Sequence, residues 1–354
     1  MAAYEQFTEY DVELEVPEKA VQELDENVRK FLPEKGIFKS MIPHGPSFWG
    51  RTARINIVEE DGSATAYFMK VCHGQRGHDM MLGEFTSMTA VHGVLPECSP
   101  LPIGWGTYES DAQCHFYLAT FHEMAEELPD INAFAWKIAE LHLRSESPNG
   151  KFGFPVTTFS GNAPQDNSWT DTWEAFFTKA FIHMIRLEGE TQGRSEEMDK
   201  LASTLVGNVI PRLLRPMEVD GRTVKPCLIH GDLWYGNACT DLDTGNPIVF
   251  DACSLYGHHE YELGTWRSPH YRIGKPYVRA YHQKYPKSEP VEDWDDRNAL
   301  YSIMFNLHES VLYAGTLRWR GIVMGEMKRL INKFPEGFDG WRSWDRAKNN
   351  GQEI

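Results

Sequence analysis

The segment His230-Gly231-Asp232-Leu233-Trp234-Tyr235-Gly236-Asn237 lies between two short apolar runs, Cys227 to Ile229 and Ile248 to Phe250, and Asp251 follows the second run directly. Both runs sit between turn residues and are too short for helices, so they read as buried strands. A polar loop held between buried strands delivers His230, Asp232 and Asn237 from one tight turn and Asp251 from its neighbour. Phosphoryl transfer needs that grouping: a carboxylate to accept the proton of the attacking hydroxyl, and oxygen ligands for the Mg²⁺ that bridges the phosphates. Asp232 is therefore the expected catalytic base, Asn237 and Asp251 the expected metal ligands, and ATP the expected phosphate donor. A turn rich in Gly, Asp and Asn can match H-x-D-x-x-x-x-N by chance, but the flanking strands and Asp251 argue against coincidence.

The pattern upstream divides the chain. Ile55 and Ile57 alternate with polar neighbours, Asp61-Gly62 offers a turn, and Ala66 to Val71 is again strand-like, which predicts a hairpin. A helix is expected over Met80 to His92, then a Pro-rich connection (Pro96, Pro100, Pro102), then a strand over His115 to Thr120. Pro17 to Leu32 has helical spacing closed by Pro33 and Gly36. Beyond Thr120 the period changes. Ile131, Phe134, Ala135, Ile138 and Leu141 mark one amphipathic helix, and Trp173 through Met184 another. Residues 294–334 read as helical, and the polar tail after Pro335 is expected to fray. The prediction is an α+β chain of two lobes, a β-rich N-lobe over 1–122 and a helical C-lobe over 123–354.

The N-lobe supplies what the loop would lack. Lys70 closes the hairpin where a lysine can reach phosphates, and Glu84 on the following helix can pair with it. Taken singly, they could be an exposed strand lysine and a solvated helix acid. Gly45-Pro46-Ser47-Phe48-Trp49-Gly50 is placed before the first strand as a phosphate flap, with Gly45 and Gly50 allowing close backbone approach. It lacks a full G-x-G-x-x-G, and Pro46 removes an amide donor. The connection Thr120 to Met124, including His122, is where an adenine would meet the chain between lobes. Around the acceptor, Trp234 is placed to stack on a sugar or amine. His259 and Glu260 are candidate substrate contacts; Glu260 and Glu262 can equally join the metal site or pair with Arg267 or Arg272. His142 reads as a packed core histidine.

Composition narrows the partners. A net charge of −16 over 354 residues repels phosphate backbones, so no nucleic-acid partner is expected. The same acidity is first explained by solubility, and fits a cationic or amine-bearing acceptor only weakly. No apolar run nears the roughly 20 residues of a membrane helix. The early acids Glu5, Glu9 and Asp11 do not resemble a signal peptide, so a cytoplasmic address is expected. Six dispersed cysteines with no C-x-x-C read as free thiols rather than zinc ligands or disulfides.

Three blocks together resemble the fructosamine and ketosamine kinase family, relatives of aminoglycoside phosphotransferases and choline kinases. They are Ala139-Glu140-Leu141-His142 with Ser147 to Phe154, Gly161-Asn162, Pro164-Gln165, Trp169, Trp173 and Phe176-Phe177; His230 to Asn237; and Phe250-Asp251 through Tyr256-Gly257-His258 to Glu260. The resemblance spans roughly residues 30 to 335. It implies a bilobal protein-kinase-like fold and transfer of the ATP γ-phosphate to the sugar 3-hydroxyl of a fructosamine or ribulosamine, a deglycation chemistry. By the same resemblance Asp232 is the base, Asn237 and Asp251 hold Mg²⁺, Lys70 with Glu84 positions phosphates, and Trp234 touches the acceptor. There are departures. The flap cysteine through which many members link subunits is replaced by Pro46-Ser47-Phe48, so a monomer without disulfide control is expected. Thr120 stands where an acid is usual, and Asp251-Ala252-Cys253 replaces D-P-A. Trp49 and Met80-Met81 match no family feature. The alternatives are a small-molecule kinase for an aminoglycoside, choline or a sugar, and a catalytically silent nucleotide-binding module, against which the retained Lys70, Asp232, Asn237 and Asp251 speak.

Overall fold

A computed structural model describes residues 16–45, 47–125, 127–268 and 272–349. Its first lobe is an antiparallel sheet of order β1-β2-β3-β5-β4. The strands are β1 Ile37–Pro43, β2 Arg51–Val58, β3 Ala64–His73, β4 Pro102–Thr107 and β5 Cys114–Thr120. The expected hairpin is β2–β3, with Thr52 opposite Lys70 and Ile55 opposite Tyr67. Alternation sends Ala53, Ile55 and Ile57 into a core with Met69, Val71, Phe116 and Leu118.

Two strands escape a periodic reading. β1 exposes Ile37, Phe38 and Ile42, so its hydrophobics do not mark one buried face. β4 starts on Pro102 at the sheet edge, where a missing amide is tolerated. The flap therefore joins β1 to β2 rather than preceding the first strand. The expected N-terminal helix is also corrected: Pro17 to Leu32 forms a 3₁₀ turn, Glu18–Val21, and a short helix, α1 Glu26–Arg29. Asp25 breaks the segment. Its carboxylate accepts from the amides of Asn27, Glu109 and Ser110, which caps α1 and ties it to the loop after β4.

Helix α2, Gly74–Val94, runs from β3 and packs against β5 and β4. The chain then crosses into a helical lobe. Its first helices are α3 Ile131–Arg144 and α4 Trp173–Gln192, separated by the small hairpin β6 Phe159–Ser160 and β7 Ala163–Pro164. Asp130 caps α3 through the amides of Asn132 and Ala133, and Thr172 caps α4 through Ala175. Helices α5 Glu196–Thr204 and α6 Ile210–Leu214 lead to the strands β8 Cys227–Ile229, β9 Ala238–Thr240, β10 Pro247–Val249 and β11 Leu255–Gly257. Then follow α7 His259–Glu262, α8 Lys275–Lys284, α9 Trp294–Leu312, α10 Arg318–Lys333 and α11 Gly337–Asn349. The tail after Pro335 is thus a helix, because Phe338 and Trp341 bury against the lobe.

One apolar core fills the helical lobe around Trp173, Phe177, Tyr301 and Leu307. A second links the lobes, joining Met81 and Met88 of α2 to Phe134, Ile138, Leu233 and Trp266. This second core fixes the floor of the cleft between the lobes. No helix among the described residues is long and apolar enough to cross a membrane.

Candidate active site

The cleft holds a cavity of about 500 Å³, within the range that takes a nucleotide-sized ligand. Its floor is the loop from β8 to β9. Gly231 sits at φ +90, and a Cβ there would lie 2.4 Å from the Cys253 carbonyl oxygen, so only glycine makes this turn. The Glu262 carboxylate, fully buried, accepts from the amides of His230 at 2.6 Å and Gly231 at 3.1 Å. Burial pushes the His230 pKa down and keeps the ring neutral; Nε2 meets the Phe250 carbonyl at 3.0 Å and Nδ1 accepts the Asp232 amide at 3.3 Å. The Trp266 indole donates to the Leu233 carbonyl at 2.8 Å. The loop is therefore braced from below at four successive residues.

Asp232 projects from this platform onto the cavity wall. Asn237 donates to its carbonyl at 2.9 Å and its carboxylate at 3.0 Å. Burial, then the charges of Asp251 and Glu309, push the Asp232 carboxyl up to about 8. Asp251 faces it from beyond β10 with φ +60, a conformation uncommon outside glycine and typical of functional sites. Lys70 of β3 lies between two acids, 2.6 Å from Asp251 and 2.8 Å from Glu84 of α2. Burial opposes the ammonium, but the two carboxylates outweigh it and hold its pKa well above the lysine range. Burial raises Glu84 to about 7 despite Lys70, while Lys70 overcomes the burial of Asp251 and holds it below the usual carboxylate range. Two carboxyls on one wall are thus pushed apart in pKa, Asp251 held ionised by Lys70 and Asp232 raised by burial, the pattern by which a site gives two acids different tasks.

The donor set suits Mg²⁺. Asn237 spends its amide nitrogen on Asp232, which leaves its carbonyl oxygen as a hard donor alongside the half-exposed Asp251 carboxylate. Thr120, His122 and Met124 line the other end of the cavity, where the chain passes between lobes. His122 is tied to Asp241 at 2.5 Å and to the Thr120 hydroxyl at 3.1 Å.

The remaining expectations divide. Gly45 and Trp234 line the cavity. Gly50 does not: a Cβ there would sit 2.5 Å from the Val71 carbonyl, so it is a packing glycine between β2 and β3. Pro46 lies outside the described residues. His259 and Glu260 are corrected as substrate contacts, because both are buried beneath the loop. The Glu260 carboxylate pairs with Arg297 at 3.0 Å and accepts the Ser288 amide at 2.7 Å, and His259 stacks on Tyr285 at 3.9 Å. Neither Arg267 nor Arg272 is the partner of Glu260 or Glu262; Arg267 pairs with Asp295. His142 is buried against Tyr281 at 2.7 Å, the packed role expected of it. Met80 lines the cavity and Met81 is buried behind it, which accounts for that pair.

Sequence reading missed a wall. Phe159, Ser160 and Gly161 of the β6–β7 turn, and Glu309, Leu312 and Tyr313 at the end of α9, line the cavity beside Trp234. One signal was available: Glu309 is an acid in the last turn of a helix, where the dipole disfavours it.

The comparisons with known proteins agree. The fructosamine kinase family matches residues 50–332. A protein-ribulosamine 3-kinase of rice (Oryza sativa subsp. indica) is 32% identical over 252 residues, 70% of this chain and 69% of its own. A provisionally named fructosamine-3-kinase structure from Haemophilus somnus superposes with TM-score 0.64 at 17% identity, covering 84% of this chain and 92% of that one. An aminoglycoside phosphotransferase in complex with AMP-PNP and hygromycin B gives TM-score 0.56 at 15% identity, covering 86% and 98%. Both structures share the bilobal kinase-like architecture, and the match along the sequence is specific: this chain belongs to the fructosamine kinase family.

Proposed function

We propose that this protein is an ATP-dependent kinase that phosphorylates the 3-hydroxyl of ketosamines, fructosamine or ribulosamine adducts of amines. The observation that carries this reading is the convergence of Lys70, Glu84, Asp232, Asn237 and Asp251 on one cavity in a chain of this family. Asp232 accepts the proton of the acceptor hydroxyl. The hydroxyl oxygen forms a bond to the γ-phosphorus as the bond to the bridging β–γ oxygen breaks, and ADP leaves. Lys70, fixed by Glu84, binds phosphate oxygens, and the turn after β1 covers them. Asn237 and Asp251 would hold Mg²⁺, which when bound would supply positive charge against that developing on the phosphates. The wall around Thr120, His122 and Met124 takes the adenine, and Trp234 borders the acceptor.

The test is Mg²⁺-dependent ADP release with a fructosamine, a ribulosamine, an aminoglycoside and choline as acceptors. Turnover with ketosamines alone supports the proposal, and the better of the two names the acceptor. Turnover confined to choline or the aminoglycoside keeps the phosphotransfer site and rejects the ketosamine. Binding of ATP with no turnover on any acceptor favours the silent module.

A further inference from the structure

The chain crosses between the lobes at residues 121–124, and alternate side chains there are held from opposite sides. On the N-lobe side, the Phe121 ring takes the Arg54 guanidinium at 4.3 Å and the His44 ring at 4.8 Å, and Arg54 pairs with Glu123 at 2.5 Å. The Glu123 side chain is half exposed, so that ion pair adds little. On the other side, His122 Nδ1 meets Asp241, in the turn from β9 to β10, at 2.5 Å.

Asp241 is buried, and its two oxygens have separate partners. One accepts the amides of Asp243 at 3.0 Å and Thr244 at 2.8 Å and closes the turn; the other faces His122. Burial would raise this carboxyl, but the hydrogen bonds from His122 and Thr244 outweigh it and hold it below the usual carboxylate range. A charge-assisted bond to a buried carboxylate is the stronger of the two side-chain attachments. Downstream, the Ala125 amide donates to Thr240 and the Leu242 amide to Glu123, each at 2.9 Å. The peptide of His122 is thus the part of the crossing that depends on its ring.

That ring is engaged at both nitrogens. Nε2 meets the Thr120 hydroxyl at 3.1 Å, whose oxygen accepts the Leu101 amide at 2.9 Å. In either protonation state no polar atom of the ring is left for a ligand. The backbone differs. His122 and Met124 line the cavity, and no backbone acceptor among the described residues takes the amide of either. Asp241 does not line the cavity, so it acts only through the segment bonded to it.

We infer that Asp241, through His122, is a positioning residue that sets which nucleotide base the cleft prefers. This rests on the ATP-dependent reading above. On its pairing edge adenine presents a bare ring nitrogen, N1, where guanine presents N1–H. Amides held toward the cavity suit the first and leave the second without an acceptor. Released from Asp241, the His122 peptide can rotate its carbonyl oxygen to where its amide stood, and the distinction between the bases falls.

The experiment is titration calorimetry of AMP-PNP and GMP-PNP, each with Mg²⁺, on the full chain as wild type, His122→Ala, His122→Asn and Asp241→Ala. Freedom restored to one residue's backbone corresponds to about 5–30-fold in affinity. Wild type should therefore prefer AMP-PNP by at least that factor, and the preference should fall by it in His122→Ala and Asp241→Ala. The asparagine amide stands where Nδ1 stood and can donate to Asp241, so His122→Asn should keep most of the preference. If Asp241→Ala does not fold, the two His122 variants decide. General damage weakens both nucleotides equally, and an unchanged ratio in His122→Ala overturns the inference while the ATP reading stands. A loss as deep in His122→Asn as in His122→Ala assigns the effect to Thr120 and overturns it as well, as does wild type with no preference. Wild type that binds neither nucleotide refutes the ATP reading, and the inference with it.

Discussion

Asp232→Asn should make the ligand-free protein more stable while removing its activity. A carboxyl in an unfolded chain titrates near 3.9, and that of Asp232 in the folded protein at about 8. Between those values the folded state keeps a proton that the unfolded state has released. Stability therefore falls as pH rises, by up to ~1.4 kcal/mol per unit, and levels off above about pH 8. The ceiling over that window is roughly 5 kcal/mol. Asp232 opens on the cavity, and solvent screening leaves about 2–3 kcal/mol of it. Asparagine has the same shape, does not titrate, and can still face the Asn237 amide. The variant should thus melt higher than wild type by about 2–6 °C at pH 8.5, without nucleotide or metal, and the gap should close toward pH 5. At pH 5 both side chains are neutral in the folded state. The assay is thermal melting across that pH range at fixed ionic strength, paired with ADP release. Loss of a general base predicts a fall of about 10²–10⁴-fold in kcat with nucleotide binding retained. Equal melting at both pH values would refute the strained carboxylate, and kcat within tenfold of wild type would refute the base.

Other outcomes follow from the same geometry. In wild type, kcat/KM should fall tenfold per unit below about pH 8, because a protonated Asp232 cannot accept the hydroxyl proton; a flat profile down to pH 6 contradicts this. Lys70→Met should lower kcat/KM by about 10²-fold or more. Its destabilisation should grow above pH 7, since Glu84, already raised to about 7, must then ionise without its partner; denaturant titrations at pH 6 and 8.5 measure the difference. Asp251→Asn should raise the Mg²⁺ concentration for half-maximal rate by about 10–100-fold, read from a metal titration of activity. Arg297→Met strands the buried Glu260 carboxylate and should cost about 3–5 kcal/mol in urea unfolding, while folded protein keeps its acceptor KM. A changed acceptor KM would return Glu260 to the substrate site.

Much of the site could be read before any fold was known. His230, Asp232 and Asn237 lie within eight residues and are bounded by buried strands, so their mutual placement is local and short-range chemistry specifies it. Amphipathic stripes at Ile131–Arg144 and Trp173–Gln192 likewise report their own helices, because a 3.6-residue period survives without knowledge of what the stripe packs on. Family likeness extended that local reading to nearly the whole chain.

What the tertiary structure decided involves partners far apart in sequence. Glu260 and Glu262 are two residues apart with similar neighbours. One is matched by Arg297 beneath the loop, and the other holds the amides of His230 and Gly231. Nothing local separates these roles, since each depends on which group a distant segment brings into a space closed to water. Gly45 and Gly50 flank the same flap, yet only the approach of Val71 reveals that Gly50 is a packing residue. The acceptor wall has the same origin. Phe159 to Gly161, Trp234 and Glu309 to Tyr313 come from three separate segments, and Trp49 joins them from the other lobe. Sequence marks 294–334 as helical; that the last turn of α9 faces a cavity containing Asp232 follows only from how the helix packs.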